Sequence, residues 1–270
     1  MCGRFSQIHK IDVLKKRLSR LGEIILDLET NLDLLKKRFG IKDDTGDYPL
    51  HNIAKTDPAM VIYKAGGQLR GMFMEWGLIP QWWSPTKQYP RCSRPINAQQ
   101  ESLTSNGYFR DAFKSRRCLV PASGFFEFME TGAKPQPYWI SSTTKEQMLL
   151  AGLWDTWTSP EEQVVHSFSI VTVGVKKETH PEFVKIHPKG RLAAILEDGG
   201  ADRWLGENDM NRISTAISPF PDKSLLYQPA KPEVNNSKWK NSDFLSLAGS
   251  GAEKPLDLDA FSLPPAETTG

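Results

Sequence analysis

Between residues 48 and about 175 no apolar run is long, and Gly, Pro, Asn or Asp cuts off each one: AMVIYKAGG, LRGMFMEWGLIP, RRCLVPASGFFEFMETG, PYWISS, QMLLAGLWDTW, HSFSIVTV. A helix needs a longer uninterrupted stretch with apolar residues on a 3.6-residue period. Short runs rich in β-branched and aromatic residues, bounded by turn formers, are strands. The turn signals return about every ten residues, too close for helical crossovers, so neighbouring strands reverse direction. The expected fold is therefore α+β, with a mainly antiparallel β barrel or sandwich-like core and peripheral helices.

The helices are expected at the margins. HKIDVLKKRLSRLGEIILDLETNLDLLKKRFG carries Ile11, Leu14, Leu18, Leu21, Ile25, Leu28, Leu32, Leu35 and Phe39 at helical spacing, which predicts one or two amphipathic helices closed by Gly40 as C-cap. EDGGADRWLGENDMNRISTAI predicts another helical segment, and YQPAKPEVNN a return to strand and loop. No internal repeat is found. A single domain is expected over residues 1–246. Residues 247–270, rich in Gly, Pro, Ala and acidic side chains, read as a disordered or loosely docked tail.

Composition narrows the function less than the pattern does. The net charge of +2 means that any nucleic-acid footprint is local rather than global. The three cysteines, Cys2, Cys92 and Cys118, are an odd number without metal-type spacing. That excludes a disulfide scaffold and a structural zinc site, and fits a reducing compartment. No apolar run approaches a membrane span, and the start lacks the basic-then-apolar order of a signal peptide. A soluble, cytoplasmic, monomeric protein is expected, with no cofactor and no metal.

Four places can carry chemistry. Cys2 follows the initiator methionine, which is normally removed before a small residue. The chain would then begin with a cysteine bearing a free α-amine. An amine titrating near 8 and a thiol near 8.5, on adjacent carbons, can trap an aldehyde: the amine gives a Schiff base and the thiol closes a five-membered thiazolidine. Asn97, in RPINAQQES, has an amide that can hold a ligand oxygen or serve a turn. Glu127 lies between Phe126 and Phe128. In an alternating strand it faces away from both, either toward solvent or into a desolvated site suited to proton shuttling. His187 precedes Pro188 and sits near Lys189 and Arg191, a setting for general-acid work on an anionic sugar phosphate or for a structural imidazole. Trp82 and Trp83 stand in a Pro-flanked loop where both cannot bury on one face, so stacking on bases is one use. Cys118 reads as a buried core thiol.

Taken in order, MCGRF, HNIAKTDPAMVI, EWGLIPQWW, PINAQQES, RRCLVPASGFFEF, PYWI, AGLWDTW, FSIVTV, IHPKGR and PEVNN resemble the SRAP family, the SOS response-associated peptidases that shield abasic sites. The resemblance spans about residues 2–245. It implies a largely β fold with a groove for single-stranded DNA. It also implies an N-terminal cysteine that crosslinks to the abasic aldehyde through a thiazolidine, as part of the DNA damage response. Cys2 then matches the nucleophile, Asn97 the residue that orients it, Glu127 the acid/base beside the amine, and His187 the residue that assists opening of the sugar ring. Arg4, Arg94, Arg110, Arg116 and Arg117 become candidates for backbone contacts, with stacking from Trp82 or Trp83. Two departures stand out. The family pattern has Asn-Ala-Arg where this chain has Gln99, with Arg94 the nearest candidate to compensate. Its His-x-Arg-Met-Pro is replaced by HPKGRLAAIL. The partner implied is single-stranded DNA with abasic sites, which would place the protein at the nucleoid when bound. Two other readings stay open from the residues alone: a terminal-nucleophile cysteine peptidase or hydrolase, and a non-catalytic module for single strands.

Overall fold

A computed structural model describes residues 3–8, 11–41, 48–86, 91–132, 134–144, 146–206 and 209–245. Cys2 and the tail from 247 onward lie outside the described residues.

The strands are β1 Arg4–Gln7, β2 Ile24–Asp27, β3 Leu50–Ile53, β4 Pro58–Ala65, β5 Gln68–Trp76, β6 Asn97–Gln99, β7 Arg117–Ala122, β8 Gly124–Met129, β9 Gln136–Ser142, β10 Met148–Thr158, β11 Val164–Gly174, β12 Arg191–Ala193, β13 Ile195–Leu196 and β14 Leu225–Pro229. The helices are α1 Ile11–Leu18, α2 Leu32–Phe39, α3 Arg110–Ser115, α4 Pro181–Ile186, α5 Asp198–Gly206 and α6 Met210–Ser214. None of the described helices is long and apolar enough to cross a membrane.

The long strands β4, β5, β11, β10 and β7 form a ring. Four of its joints are antiparallel, and the short parallel pairing of β5 with β11, Ser167 opposite Glu75 and Phe168 opposite Trp76, closes it. A second sheet runs β14-β9-β8-β1-β3. The expected barrel-like, mainly antiparallel core is therefore what the chain builds. Cys118 lies in it, fully buried, and burial pushes its thiol well up.

The N-terminal strand ties these layers together. Phe5 packs edge-on to Trp76 at 4.9 Å and reaches Phe168 at 6.5 Å, at the closing joint of the barrel. Gln7 is buried, and its amide donates to the carbonyls of Met60 and Pro121 while accepting from the Met60 N–H, each at 2.8 Å. An unmade bond at such a site would leave a desolvated amide, so β1 is pinned in one register. Ser123 completes the fastening: its hydroxyl accepts from the Ile8 N–H at 2.8 Å and donates to the Ile8 carbonyl at 3.0 Å. The next residue must be glycine, because a Cβ on Gly124 would lie 2.2 Å from the Trp139 ring. The PASGFF stretch is thus the seam that holds β1 against β8.

One sequence expectation is corrected. Ile24–Asp27 is a strand, not helix; it pairs parallel with β5, Ile24 opposite Leu69 through Asp27 opposite Met72. Gly22, at φ 127°, breaks the helical run, and the β-branched pair Ile24–Ile25 then satisfies the edge of β5. The flanking α1 and α2 are helical as expected. Gly40 caps α2 in the left-handed conformation, its N–H donating to the Lys36 carbonyl. The expected segment near residues 197–217 holds α5 and α6.

Candidate active site

Glu127 follows Phe125 and Phe126 on β8. Alternation sends Phe125 into the main core and Phe126 into a smaller cluster with Ile8, Trp139, Ala230, Val234 and Phe244. Glu127 points opposite to Phe126, as expected, but not to water: it is 2 % exposed. Its carboxylate meets His187, with Nδ1 3.5 Å from Oε2. His187 ends α4: its N–H donates to the Phe183 carbonyl at 2.8 Å, and its ring lies edge-on to Phe183 at 5.9 Å. The turn after it is fixed by Gly190, whose N–H returns to the His187 carbonyl at 2.9 Å. Gly190 has φ 55°, and a Cβ there would sit 2.2 Å from the Val175 carbonyl oxygen. The PKG sequence is therefore what lets the histidine turn onto β8.

Both groups are pushed toward their neutral forms. Burial raises the Glu127 carboxyl to about 7, with the positive charge of the chain's amino terminus acting the other way. Burial lowers the His187 imidazole to about 4, and the amino-terminal charge and Lys189 act in the same direction. Near neutral pH the carboxyl is thus divided between acid and conjugate base beside a neutral imidazole. Such a pair can give or take a proton at little cost.

Asn97 is placed from the other sheet. It opens β6 opposite Ile170 of β11, and the residues before it are nailed down: the Ile96 carbonyl accepts from Ile170 N–H at 3.0 Å and from Trp76 Nε1 at 2.9 Å. Gln99, exposed, lies two positions on, opposite Thr172. Thr172 is flanked on its other side by Ala193, so β11 carries the β6 motif on one edge and the strand that follows the His187 turn on the other. Arg191, the first residue of that strand, is held by Glu101 at 2.7 and 2.9 Å. It is a cation that joins the two edges of β11 through Glu101, two residues after Gln99, and its place in HPKGR is the sequence signal for it.

The arginine candidates divide. Arg117 is buried, and its guanidinium donates to the carbonyls of Trp204, Phe113 and Lys114 at 2.6, 2.7 and 2.8 Å. This is a structural role, and it removes Arg117 from the DNA-contact candidates. Arg94 turns inward, paired with Glu75 at 2.8 Å and donating to the Gly77 carbonyl, so its guanidinium is not turned out to replace a charge at Gln99. Arg4 also faces acceptors within the protein. Arg110 is exposed beside Asp111, and Arg116 pairs with buried Asp155 at 3.0 Å. Asp155 also accepts from the Gln81 N–H, which anchors the tryptophan loop. There Trp83 packs on Trp157 at 5.3 Å, while Trp82, 54 % exposed, stands edge-on to Tyr108. Trp83 is half-buried and Trp82 exposed, so the two do not bury on one face.

The chain as a whole is similar to known proteins. The family model described as SOS response associated peptidase (SRAP) matches residues 1–237. Abasic site processing protein YoqW of Bacillus subtilis is 25% identical over 249 residues, covering 91% of this chain and 99% of that protein. Abasic site processing protein HMCES of Xenopus tropicalis is 27% identical over 185 residues, 61% of this chain and 53% of that one, so the match takes in about half of its length. A crystal structure of a protein from Bacteroides thetaiotaomicron, 22% identical, shares the fold with a TM-score of 0.68 over 88% of this chain and 96% of that one.

Proposed function

The chain belongs to the SOS response associated peptidase (SRAP) family, and from that membership we propose that it captures abasic sites in single-stranded DNA as a covalent adduct of its N-terminal cysteine. The observation that carries this reading is the Glu127–His187 pair beside the strand that the N-terminus enters. Arg4 is opposite Phe126 in the β1–β8 ladder. Two residues of chain span at most about 7 Å, a length compatible with a nucleophile two residues before Arg4 acting at Glu127. The relatives named as abasic site processing proteins supply the substrate class.

The chemistry follows from the ionisation states. Abasic deoxyribose is mostly a closed hemiacetal, and its ring oxygen must gain a proton to open. His187 is neutral, so it relays rather than stores that proton: Glu127 gives a proton to Nδ1, the imidazole gives one from Nε2 to the sugar's ring oxygen, and the C1′ hydroxyl releases its proton to solvent as the C–O ring bond breaks and the aldehyde forms. The Glu127 carboxylate so formed then takes a proton from the Cys2 ammonium. The amine attacks C1′, the carbinolamine loses water to an imine, and the thiol adds across the C=N bond to close the thiazolidine. Two bonds form at C1′ and one water leaves. Asn97 would hold the sugar oxygen during opening, with stacking from Trp82. Gln99 can bond a phosphate but cannot neutralise it.

Intact mass tests this directly. The wild-type chain lacking Met1, mixed with an oligonucleotide bearing one abasic site, is expected to gain the oligonucleotide mass less one water. Cys2→Ala is expected to gain nothing. An adduct on Cys2→Ala, or none on the wild-type chain, overturns the reading.

A further inference from the structure

Arg4 opens β1, two residues after Cys2, and its guanidinium is turned onto acceptors of the protein itself. Nη1 donates to Asn52 Oδ1 at 3.2 Å and to the Val234 carbonyl at 2.9 Å, Nη2 donates to the Asn235 carbonyl at 3.3 Å, and the group lies over the Phe128 ring at 5.9 Å. Asn52 is held at φ 50°, a left-handed conformation that an asparagine tolerates. Its amide donates to the carbonyls of Val234, Asn236 and Trp239 at 3.3, 3.1 and 2.8 Å. Lys240 closes the loop from behind, donating to the Asn52 carbonyl at 2.7 Å and to the Asp57 carboxylate. The segment from Val234 to Lys240 is thus fastened to the N-terminal strand by a fork and an amide, over more than two hundred residues of sequence separation.

We propose that Arg4, buckled through Asn52 to the Val234–Lys240 segment, is a positioning residue for the N-terminal nucleophile rather than a phosphate contact. This rests on the capture reading above. The side-chain bonds that pin β1 from Gln7 and Ile8 lie at its far end, and others are needed at its leading end. The buckle supplies them at the residue nearest that end, on the face of β8 opposite Glu127. A reacting amine displaced by about 1 Å can lose up to about 100-fold in rate, whereas the loss of a phosphate contact weakens binding and lowers the salt slope by about 0.7 per contact on a single strand.

The two roles separate in Arg4→Lys, Arg4→Gln and Asn52→Ala. Affinity is measured against salt on a single strand carrying a tetrahydrofuran in place of the abasic sugar, which cannot react. The adduct-forming rate is measured at saturating protein on the true abasic strand. Positioning predicts unchanged affinity and slope, with the saturated rate down about 10–100-fold in all three variants. Arg4→Lys is included because it keeps the charge and stem if Arg4→Gln does not fold; without the fork, it does not rescue the rate. A phosphate role predicts normal saturated rates, a slope lower by about 0.7 in Arg4→Gln, and recovery in Arg4→Lys; that outcome overturns the proposal. Absence of any adduct from the wild-type chain overturns the capture reading instead, and the buckle is then decided by the salt slope of Arg4→Gln alone.

Discussion

Two polar clusters flank the N-terminal strand, and they are built on opposite terms. In the buckle, charges meet opposite charges: buried Asp57 accepts from the Ala54 N–H at 2.9 Å and from Lys240, with Arg38 3.7 Å away. Burial lowers the Lys240 ammonium, and Asp57 holds it up. At Glu127 and His187 no such compensation prevails. Burial is the leading cause at both, and it drives the acid up to about 7 and the base down to about 4. A compensated cluster resists change and so serves structure. A pair held near neutrality can exchange a proton at working pH, which is what acid–base chemistry needs.

The contrast can be broken by exchanging the outcomes. Glu127→Gln keeps the shape and removes the proton exchange, so adduct formation is expected to slow about 10²–10⁴-fold without loss of fold; a destabilised variant with a normal rate would make Glu127 a structural residue. Asp57→Ala strands the half-buried Lys240 charge and is expected to cost about 3–5 kcal/mol in denaturant unfolding. A cost below 1 kcal/mol would mean that the buckle is not held by compensated charge. The smallest effect is on the pH dependence of stability. Glu127 binds its proton more tightly folded than unfolded, so between about 4.5 and 7 its contribution falls as pH rises. His187 does the reverse, contributing a rise between about 4 and 6.5. The wild-type chain is therefore expected to be nearly flat from pH 4.5 to 6.5. Glu127→Gln should gain stability across that window, on the order of 1 kcal/mol allowing for the partial exposure of His187. Equal slopes in the two proteins would mean that the shifts are not opposed.

The sequence announced these two clusters unequally. Strand texture located the barrel because turn residues and β-branched runs act locally, and alternation around Phe126–Phe128 set the side of Glu127. What alternation could not say is whether that side met water or α4, since this depends on a turn at Gly190 sixty residues on. The helical spacing of Ile25 and Leu28 misled because four residues, Ile24–Asp27, fit either period, and the empty edge of β5 decided. Arg116 and Arg117 are adjacent and identical in type, yet one pairs with the Asp155 carboxylate and the other donates to internal carbonyls. The buckle was not legible at all, because Asn52 and Val234–Lys240 meet only in the folded chain.

The most direct test of the central contrast is a titration of the Glu127 carboxyl itself, by 13C NMR of carboxyl-labelled glutamate with Glu127→Gln as the assignment control. A resonance that is absent from the variant and titrates near 7 is the expected result. A Glu127 signal that titrates near the ordinary 4.5 would contradict the account, since the site would then hold a plain carboxylate with no proton to exchange.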